Sequence, residues 1–317
     1  MTKYILIRIL STIPVLIGAS IILFCIMQLA PGGPEMVFIN PEDFESVQID
    51  LIRHRLGLDQ PLHIQYLKWL SSALRGEMGI SFFYHQPVRD LVLDRLPATL
   101  QMTVGGLALA LVVAIPIGIL AAVKQYSLLD NVVTLFTFFT ISFPGFWLGL
   151  MLIFVFAGKL GWFPPSGIVS IGQEHNFLSR LHHAVLPTVT LATAFMAQYI
   201  RYIRSGMLEV LSQDYIRTAR SKGLQERQVL VRHAFRNALL VPITLVGQSL
   251  GYLVGGSVLL ETVFAWPGVG RLAVGAVFDR DYPVTMGVAL FATFMTVIGN
   301  LMADMLYVWA DPRIRYG

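Results

Sequence analysis

The chain has 317 residues, of which 55% are hydrophobic and 13% charged, with a mean hydropathy of +0.66 and a formal net charge of +4. An average soluble domain is about 25% charged, so this composition excludes a soluble globular protein and predicts an integral membrane protein. The single cysteine, Cys25, excludes a disulfide within the chain and a metal site built from thiolates.

Six apolar segments are long enough to cross a bilayer as helices, which takes roughly 20 residues each. In chain order they are residues 9–29, 100–123, 132–157, 185–207, 239–260 and 284–309. The first follows Lys3 and Arg8 but is too long for a cleaved signal core, so we expect a retained signal anchor. Pro116 is expected to interrupt the second span, and Pro144 lies in the middle of the third.

The spans divide the chain into an N-terminal segment (1–30), an insertion (31–99) and a five-span core (100–317). The insertion holds enough apolar and aromatic residues to pack, so we expect a small ordered element there. The connections on the side of both termini, including residues 208–242, carry an excess of Lys and Arg. The positive-inside rule therefore predicts cytoplasmic termini and an external insertion.

Residues 214–242 form the longest strongly charged stretch between two spans. The pattern predicts two short helices. Asp214 would cap the first, Ile216 and Ala219 share an apolar or small face with Gly223, and Gly223 would end that helix and let another surface approach closely. A second amphipathic helix is expected over about residues 225–237. A loop lying on anionic lipid would explain the charge, whereas a docking surface for a cytoplasmic partner explains both the charge and the two helices.

Catalytic and metal chemistry have little support in the sequence. A phosphate-cradling loop, Gly-x-x-x-x-Gly-Lys followed by Ser or Thr, is not found, and the nearest match at residues 158–160 lacks both the Ser/Thr and the upstream glycine. All seven histidines lie outside the predicted spans, so no intramembrane metal site or Cys/His nucleophile is expected. We therefore expect no enzyme activity, no catalytic residue and no cofactor bound by this chain.

Several residues within or beside the spans are candidates for a pathway or a gate. They are Pro144, Gly251, Gly255, Glu261 and Asp304. Asp304 is an acid inside a span, which indicates function by default, but its place near the cytoplasmic end also fits a structural anchor. Glycine and proline within spans also fit tight helix packing and tolerated kinks, so both interpretations stay open.

With these patterns, the chain resembles the membrane subunits of bacterial ABC importers, in the dipeptide/oligopeptide/nickel permease family. Residues 214–242 are similar to that family's EAA loop (Glu-Ala-Ala, three residues, Gly), whose positions are matched by Arg217, Thr218, Ala219 and Gly223, so that the Glu and the first Ala are replaced. Short motifs similar to the family's extend the resemblance over nearly the whole chain, at residues 30–34, 56–61, 95–100, 143–147, 261–268, 280–283 and 311–315. The long insertion resembles the first of the two paired permeases.

The resemblance implies a type I ABC importer permease fold that forms half of a pathway for peptides or related small solutes. The implied partners are a homologous second permease, two cytoplasmic ABC ATPases that hold ATP and Mg, an extracytoplasmic substrate-binding protein and the lipid of the bacterial inner membrane, with no nucleic acid. The residues implied in ATPase docking are Tyr215, Ile216, Arg217, Thr218, Ala219, Arg220, Gly223 and Leu224. The alternative is a self-sufficient secondary transporter, which favours internal repeats and midplane sites, and no clear inverted repeat is present.

Overall fold

The computed structural model describes residues 2–29, 54, 57–173, 176–238, 242–243, 245–247, 249 and 257–310. Within these residues the fold is helical, and the only strand-like pairing is one isolated bridge between Ile80 and Pro87. The predicted all-α class is confirmed. Of the pathway candidates, Gly251 and Gly255 lie outside the described residues.

The described residues contain ten α-helices of six or more residues. They are α1 (Thr2–Leu29), α2 (Leu62–Leu74), α3 (Val88–Val123), α4 (Leu128–Ser142), α5 (Gly145–Leu152), α6 (Phe177–Leu211), α7 (Asp214–Ser221), α8 (Val258–Val263), α9 (Val269–Phe278) and α10 (Tyr282–Ala310). Two π-helical segments, Ile153–Lys159 and Val229–Phe235, interrupt the α-helical geometry. Such wider turns recur at functional sites in helices.

Three helical segments are long and apolar enough to cross a membrane: Leu10–Leu29, Val88–Val123 and Tyr282–Met305. The pair Leu128–Ser142 and Gly145–Lys159, bent by 101°, makes a fourth if it is counted as one span. The described residues thus support a multi-pass membrane protein without reaching the six predicted spans. The predicted span at 239–260 falls largely outside them.

The two prolines singled out in the spans behave differently. The expected interruption at Pro116 is wrong, because α3 continues through it from Val88 to Val123; neighbouring helices in a bundle can re-satisfy the carbonyl that a proline frees. At Pro144 the helix does end. Phe143 is extended (φ −101°, ψ 139°), as sterics before a proline favour, and the next helix leaves at 101°.

The contacts form two compact units, Met1–Ala98 with Pro267–Val297 and Thr99–Trp266 with Ile298–Gly317. In the first unit α2 packs on α1, where the hydroxyls of Ser20 and Tyr66 bond at 2.9 Å. Asp281, almost fully buried, accepts hydrogen bonds from the Ser81 hydroxyl and from the backbone N–H of Val284 (3.3 Å) at the start of α10. This carboxylate joins the segment before α3 to the N-terminus of the last helix.

The second unit is built on a core between α3 and α6. Small residues let the two helices approach closely: a Cβ on Gly118 would lie 2.8 Å from Ile203. The same core continues into the charged loop, and its buried members include Ala114, Ile200, Ile203, Met207, Ile216, Ala219, Val229 and Ala234. Packing of its apolar side chains therefore holds the loop against the end of α6.

Candidate functional site

The first helix of the charged loop, α7, follows α6 after a two-residue turn at Ser212 and Gln213. The N-cap residue is Gln213, which makes no side-chain capping bond, so the expected cap at Asp214 is wrong. Asp214 lies instead in the first turn, where its negative charge interacts favourably with the positive end of the helix dipole. Its carboxylate is 3.6 Å from the Arg217 guanidinium.

One face of α7 is turned into the protein. Ile216 is 0% exposed and Ala219 is 7% exposed, and both belong to the core that contains Ile203 and Met207. The spacing placed the two residues on one face, as the structure does. Because that face contacts the chain's own core, Ile216 and Ala219 cannot themselves touch a partner in this conformation; they hold the helix in place.

The opposite face of α7 and the turn after it are open to solvent. We call this the docking face and define it by Tyr215, Arg217, Thr218, Gly223 and Leu224, all exposed. The Arg217 side chain is 76% exposed. Gly223 has φ +75°, a left-handed conformation that glycine adopts without cost, and no atom beyond the two adjoining residues lies within 4 Å of where its Cβ would be. The turn is therefore a bare stretch of backbone that another protein can approach.

Arg220 closes the loop on itself. Its Nη2 donates to Oε1 of Glu226 at 2.7 Å and its Nε to Oε2 at 3.2 Å, across the Gly223 turn. These hydrogen bonds lower the pKa of the Glu226 carboxyl and raise the pKa of Arg220. Arg220, predicted as a docking residue, thus braces the turn in this structure. The loop is ordered before any partner arrives.

The second arm of the loop differs from the expected amphipathic α-helix. Only Glu226–Gln228 and Arg236–Ala238 are α-helical, and the π-helix Val229–Phe235 lies between them. Val229 and Ala234 are buried while Val231 is exposed, because the wider turn shifts which residues share a face. The arm is tied back to α7 by Asn237, whose Nδ2 donates to the Tyr215 hydroxyl at 3.0 Å.

The described pathway candidates lie in the second unit. Pro144 is exposed at the bend before α5, and α5 packs against α8, which carries Glu261. Glu261 is fully buried; its Oε1 accepts hydrogen bonds from the hydroxyls of Thr99 (2.8 Å) and Ser257 (2.7 Å). Asp304 is partly buried in α10. The geometry makes Glu261 an anchor between helices.

One polar pair was missed by the sequence patterns. Arg204 of α6 and Asp130 of α4 form a two-bond ion pair inside the second unit. In the sequence they counted only as charges that set topology, since their separation of 74 residues gives no local signal. Asp130 lies two residues before the predicted span at 132–157, and an acid so close to an apolar segment was the available clue.

A cavity of about 540 Å³ lies in the first unit, a size typical of ligand pockets. Its walls combine aromatic rings, among them Phe24, Trp69 and Tyr282, with charges of both signs from Lys68 and Glu77. In the described part of the chain, no group of three or more His, Cys, Asp or Glu is placed to hold a metal ion.

Comparison with known proteins gives consistent matches over the whole chain. Residues 114–316 match the family described as "Binding-protein-dependent transport system inner membrane component", and residues 1–103 match the family that describes the N-terminal part of the membrane component of such systems. An oligopeptide transport system permease protein, AppB of Bacillus subtilis, is 44% identical over 317 residues, covering 100% of both chains. The glutathione transport system permease protein GsiC of Escherichia coli is 38% identical over 316 residues, again covering 100% of both.

Among solved structures, an inward-facing form of the MetNI methionine ABC transporter is similar to 70% of this chain and 96% of the matched chain. Its TM-score is 0.54 at 19% sequence identity. At that identity the likeness concerns the fold.

Proposed function

The chain belongs to the family of binding-protein-dependent transport system inner membrane components, and we propose that it imports peptides or related small solutes as the permease subunit of an ABC importer. The observation that carries this is the full-length similarity to oligopeptide and glutathione permeases. The same match favours an ATP-driven importer over a self-sufficient secondary transporter. The chain is a transport subunit of the inner membrane and not an enzyme.

The docking face is the surface proposed to bind a cytoplasmic ATPase. It is ordered by the Arg220–Glu226 pair and backed by buried Ile216 and Ala219, so little conformational entropy is lost on binding. The docking face exposes an aromatic ring (Tyr215), a guanidinium (Arg217) and the backbone of Gly223, and these groups suit insertion into a cleft on the ATPase. The excess of Lys and Arg on this side supports placing it, with both termini, in the cytoplasm.

Energy comes from the partners. ATP and Mg are bound and used in two ABC ATPases, and this chain contributes no group to phosphate chemistry. ATP binding draws the two ATPases together, and each pulls the docking face it holds. A homologous second permease supplies the other half of the pathway, so the two permeases alternate between inward-open and outward-open states.

The external insertion is proposed to receive the substrate-binding protein. The cavity of the first unit supports this, because aromatic walls with one cation and one anion suit an amphipathic surface or a zwitterionic solute. Pro144 and Asp304 remain candidates for the moving parts of the pathway. Asp304 lies on α10, whose 29 residues are long enough to span a membrane, and Pro144 lies at the bend between α4 and α5.

The test is reconstitution. The chain is purified alone and together with a second permease, two ATPases and a binding protein, and each sample is placed in liposomes with labelled peptide outside. We expect peptide uptake only in the full assembly, and only when ATP is present on the side of the liposome membrane where the ATPases lie. Uptake by the chain alone, unaffected by ATP, would refute the proposal in favour of a secondary transporter.

A further inference from the structure

The ion pair between Arg204 and Asp130 has a geometry that fixes orientation as well as distance. Nε of Arg204 is 2.6 Å from Oδ1 of Asp130, and Nη2 is 2.8 Å from Oδ2. A planar guanidinium that grips both carboxylate oxygens resists rotation and sliding. The Asp130 side chain is 3% exposed and that of Arg204 is 27% exposed, so water screens the pair little.

Asp130 is itself held by the turn before its helix. Its Oδ2 also accepts a hydrogen bond from the backbone N–H of Tyr126 at 2.9 Å, and its own N–H donates to the Ser127 hydroxyl. Tyr126 has φ +62°, an uncommon conformation for a residue other than glycine. The carboxylate thus joins three elements: the turn, the first turn of α4 and α6.

The ion pair lies between the docking face on α7 and the bend that separates α4 from α5. Arg204 is about two helical turns, roughly 10 Å, before the end of α6, which leads directly into α7. Asp130 is in the first turn of α4, and α4 ends at the 101° bend before α5. α4 and α6 also make apolar contacts, with Val133 of α4 packed against the core that contains Ile200 and Ile203. Apolar contacts permit small sliding movements, whereas the ion pair does not.

A role in topology alone does not explain this arrangement. A cation that only marks the cytoplasmic side needs no buried partner. Burying a carboxylate is costly unless it is paired and fully hydrogen-bonded, and here three donors converge on one acid. A purely structural brace remains the alternative, and it predicts a different experimental result.

We propose that Arg204 and Asp130 are positioning residues for transport: they clamp α6 to α4, so that a displacement of the docking face moves the bent segment α4–α5. The clamp rests on the proposed function, since it acts only if an ATPase pulls on the docking face. When the ion pair is removed, the ATPases continue to hydrolyse ATP but their movement no longer opens and closes the pathway.

The experiment measures two rates per purified complex in liposomes: ATP hydrolysis stimulated by the binding protein, and peptide uptake. For Asp130→Asn, which keeps the side-chain shape and removes the charge, we expect hydrolysis close to wild type and uptake per ATP reduced at least about tenfold. Arg204→Lys keeps the charge and loses the fork, and we expect an intermediate ratio. Arg201→Gln is the matched control, one turn earlier on α6 with an exposed side chain, and should keep the wild-type ratio.

Two results would overturn the clamp. One is a wild-type uptake per ATP in both pair variants. The other is a parallel fall of hydrolysis and uptake with an unchanged ratio, which is what a structural brace predicts. If Asp130→Asn yields no assembled complex, the ratio for Arg204→Lys decides. A wild-type complex without ATP-dependent uptake would instead contradict the proposed function.

Discussion

Substitution of Gly223 tests the docking face most directly. No atom beyond the two adjoining residues lies within 4 Å of the position of its Cβ, so a side chain meets no clash, but φ is +75°. An L-residue with a Cβ costs about 1–2 kcal/mol in that conformation. Such a cost reduces the population of the turn by a factor of about 5–30. If the ATPase binds only the observed turn, its affinity for Gly223→Ala falls by the same factor.

Two further variants separate the turn's conformation from the space around it. Asn tolerates the left-handed conformation better than Ala, so Gly223→Asn should lose less affinity. Gly223→Arg has the cost of Ala and also fills the space where the partner approaches, so it should lose more affinity than Ala. Gly161→Arg is the matched control, a glycine at φ +62° with open space around its Cβ and outside the docking face.

The measurement is the dissociation constant of purified ATPase for the detergent-solubilised permease pair, with the thermal midpoint of each variant recorded beside it. The order of affinities should be wild type, Asn, Ala, Arg, with the control at wild type. Equal affinities for wild type and Ala would refute the role of the turn. Equal affinities for Ala and Arg would refute a close approach at this point.

Three other predictions concern packing, a buried acid and pH. A Cβ on Gly247 would overlap Ala303 of the last helix, so Gly247→Ala should lower the free energy of unfolding by about 1–3 kcal/mol, measured by thermal unfolding. The control is Gly275→Ala in α9, where the new Cβ meets no neighbouring side chain; it should leave that free energy unchanged or raise it by about 0.5–1 kcal/mol. Glu261→Ala leaves two buried hydroxyls without their acceptor and should cost about 1–3 kcal/mol for each, while Glu261→Gln keeps a carbonyl oxygen there and should cost less. Because Arg220 lowers the pKa of Glu226 below its ordinary value of 4.5, the bond across the turn contributes fully above pH 4.5 and is lost as pH falls through the lowered value; amide exchange in the loop should rise in that acid range for wild type, and Glu226→Gln should abolish the pH dependence.

The loop shows what sequence could and could not predict. The helical period is local, so spacing alone placed Ile216 and Ala219 on one face. Whether that face meets a partner or the chain's own core depends on α6, which no local pattern describes. The same holds for the ion pair of Arg204 and Asp130, whose members are 74 residues apart.

Proline was a second limit. The pattern predicted an interruption at Pro116 and placed Pro144 inside a continuous span, whereas in the structure only Pro144 follows the end of a helix. Proline removes one backbone donor wherever it stands, but the cost depends on what surrounds the freed carbonyl. Composition, in contrast, was sufficient to predict the all-α membrane class. Long apolar runs with few charges lie in lipid, where a helix satisfies all backbone hydrogen bonds within one segment.

The bonds of Asp281 have a consequence for biosynthesis. Ser81 and Asp281 are 200 residues apart, and the unit they join combines the first 98 residues with residues 267–297. At about 5–20 residues per second, a ribosome takes roughly 10–40 s to deliver the acid after the serine. During that interval the early segment has been made while the helix that completes its fold has not. The first unit therefore forms late, and a nascent chain stopped before residue 281 lacks the carboxylate that joins its parts.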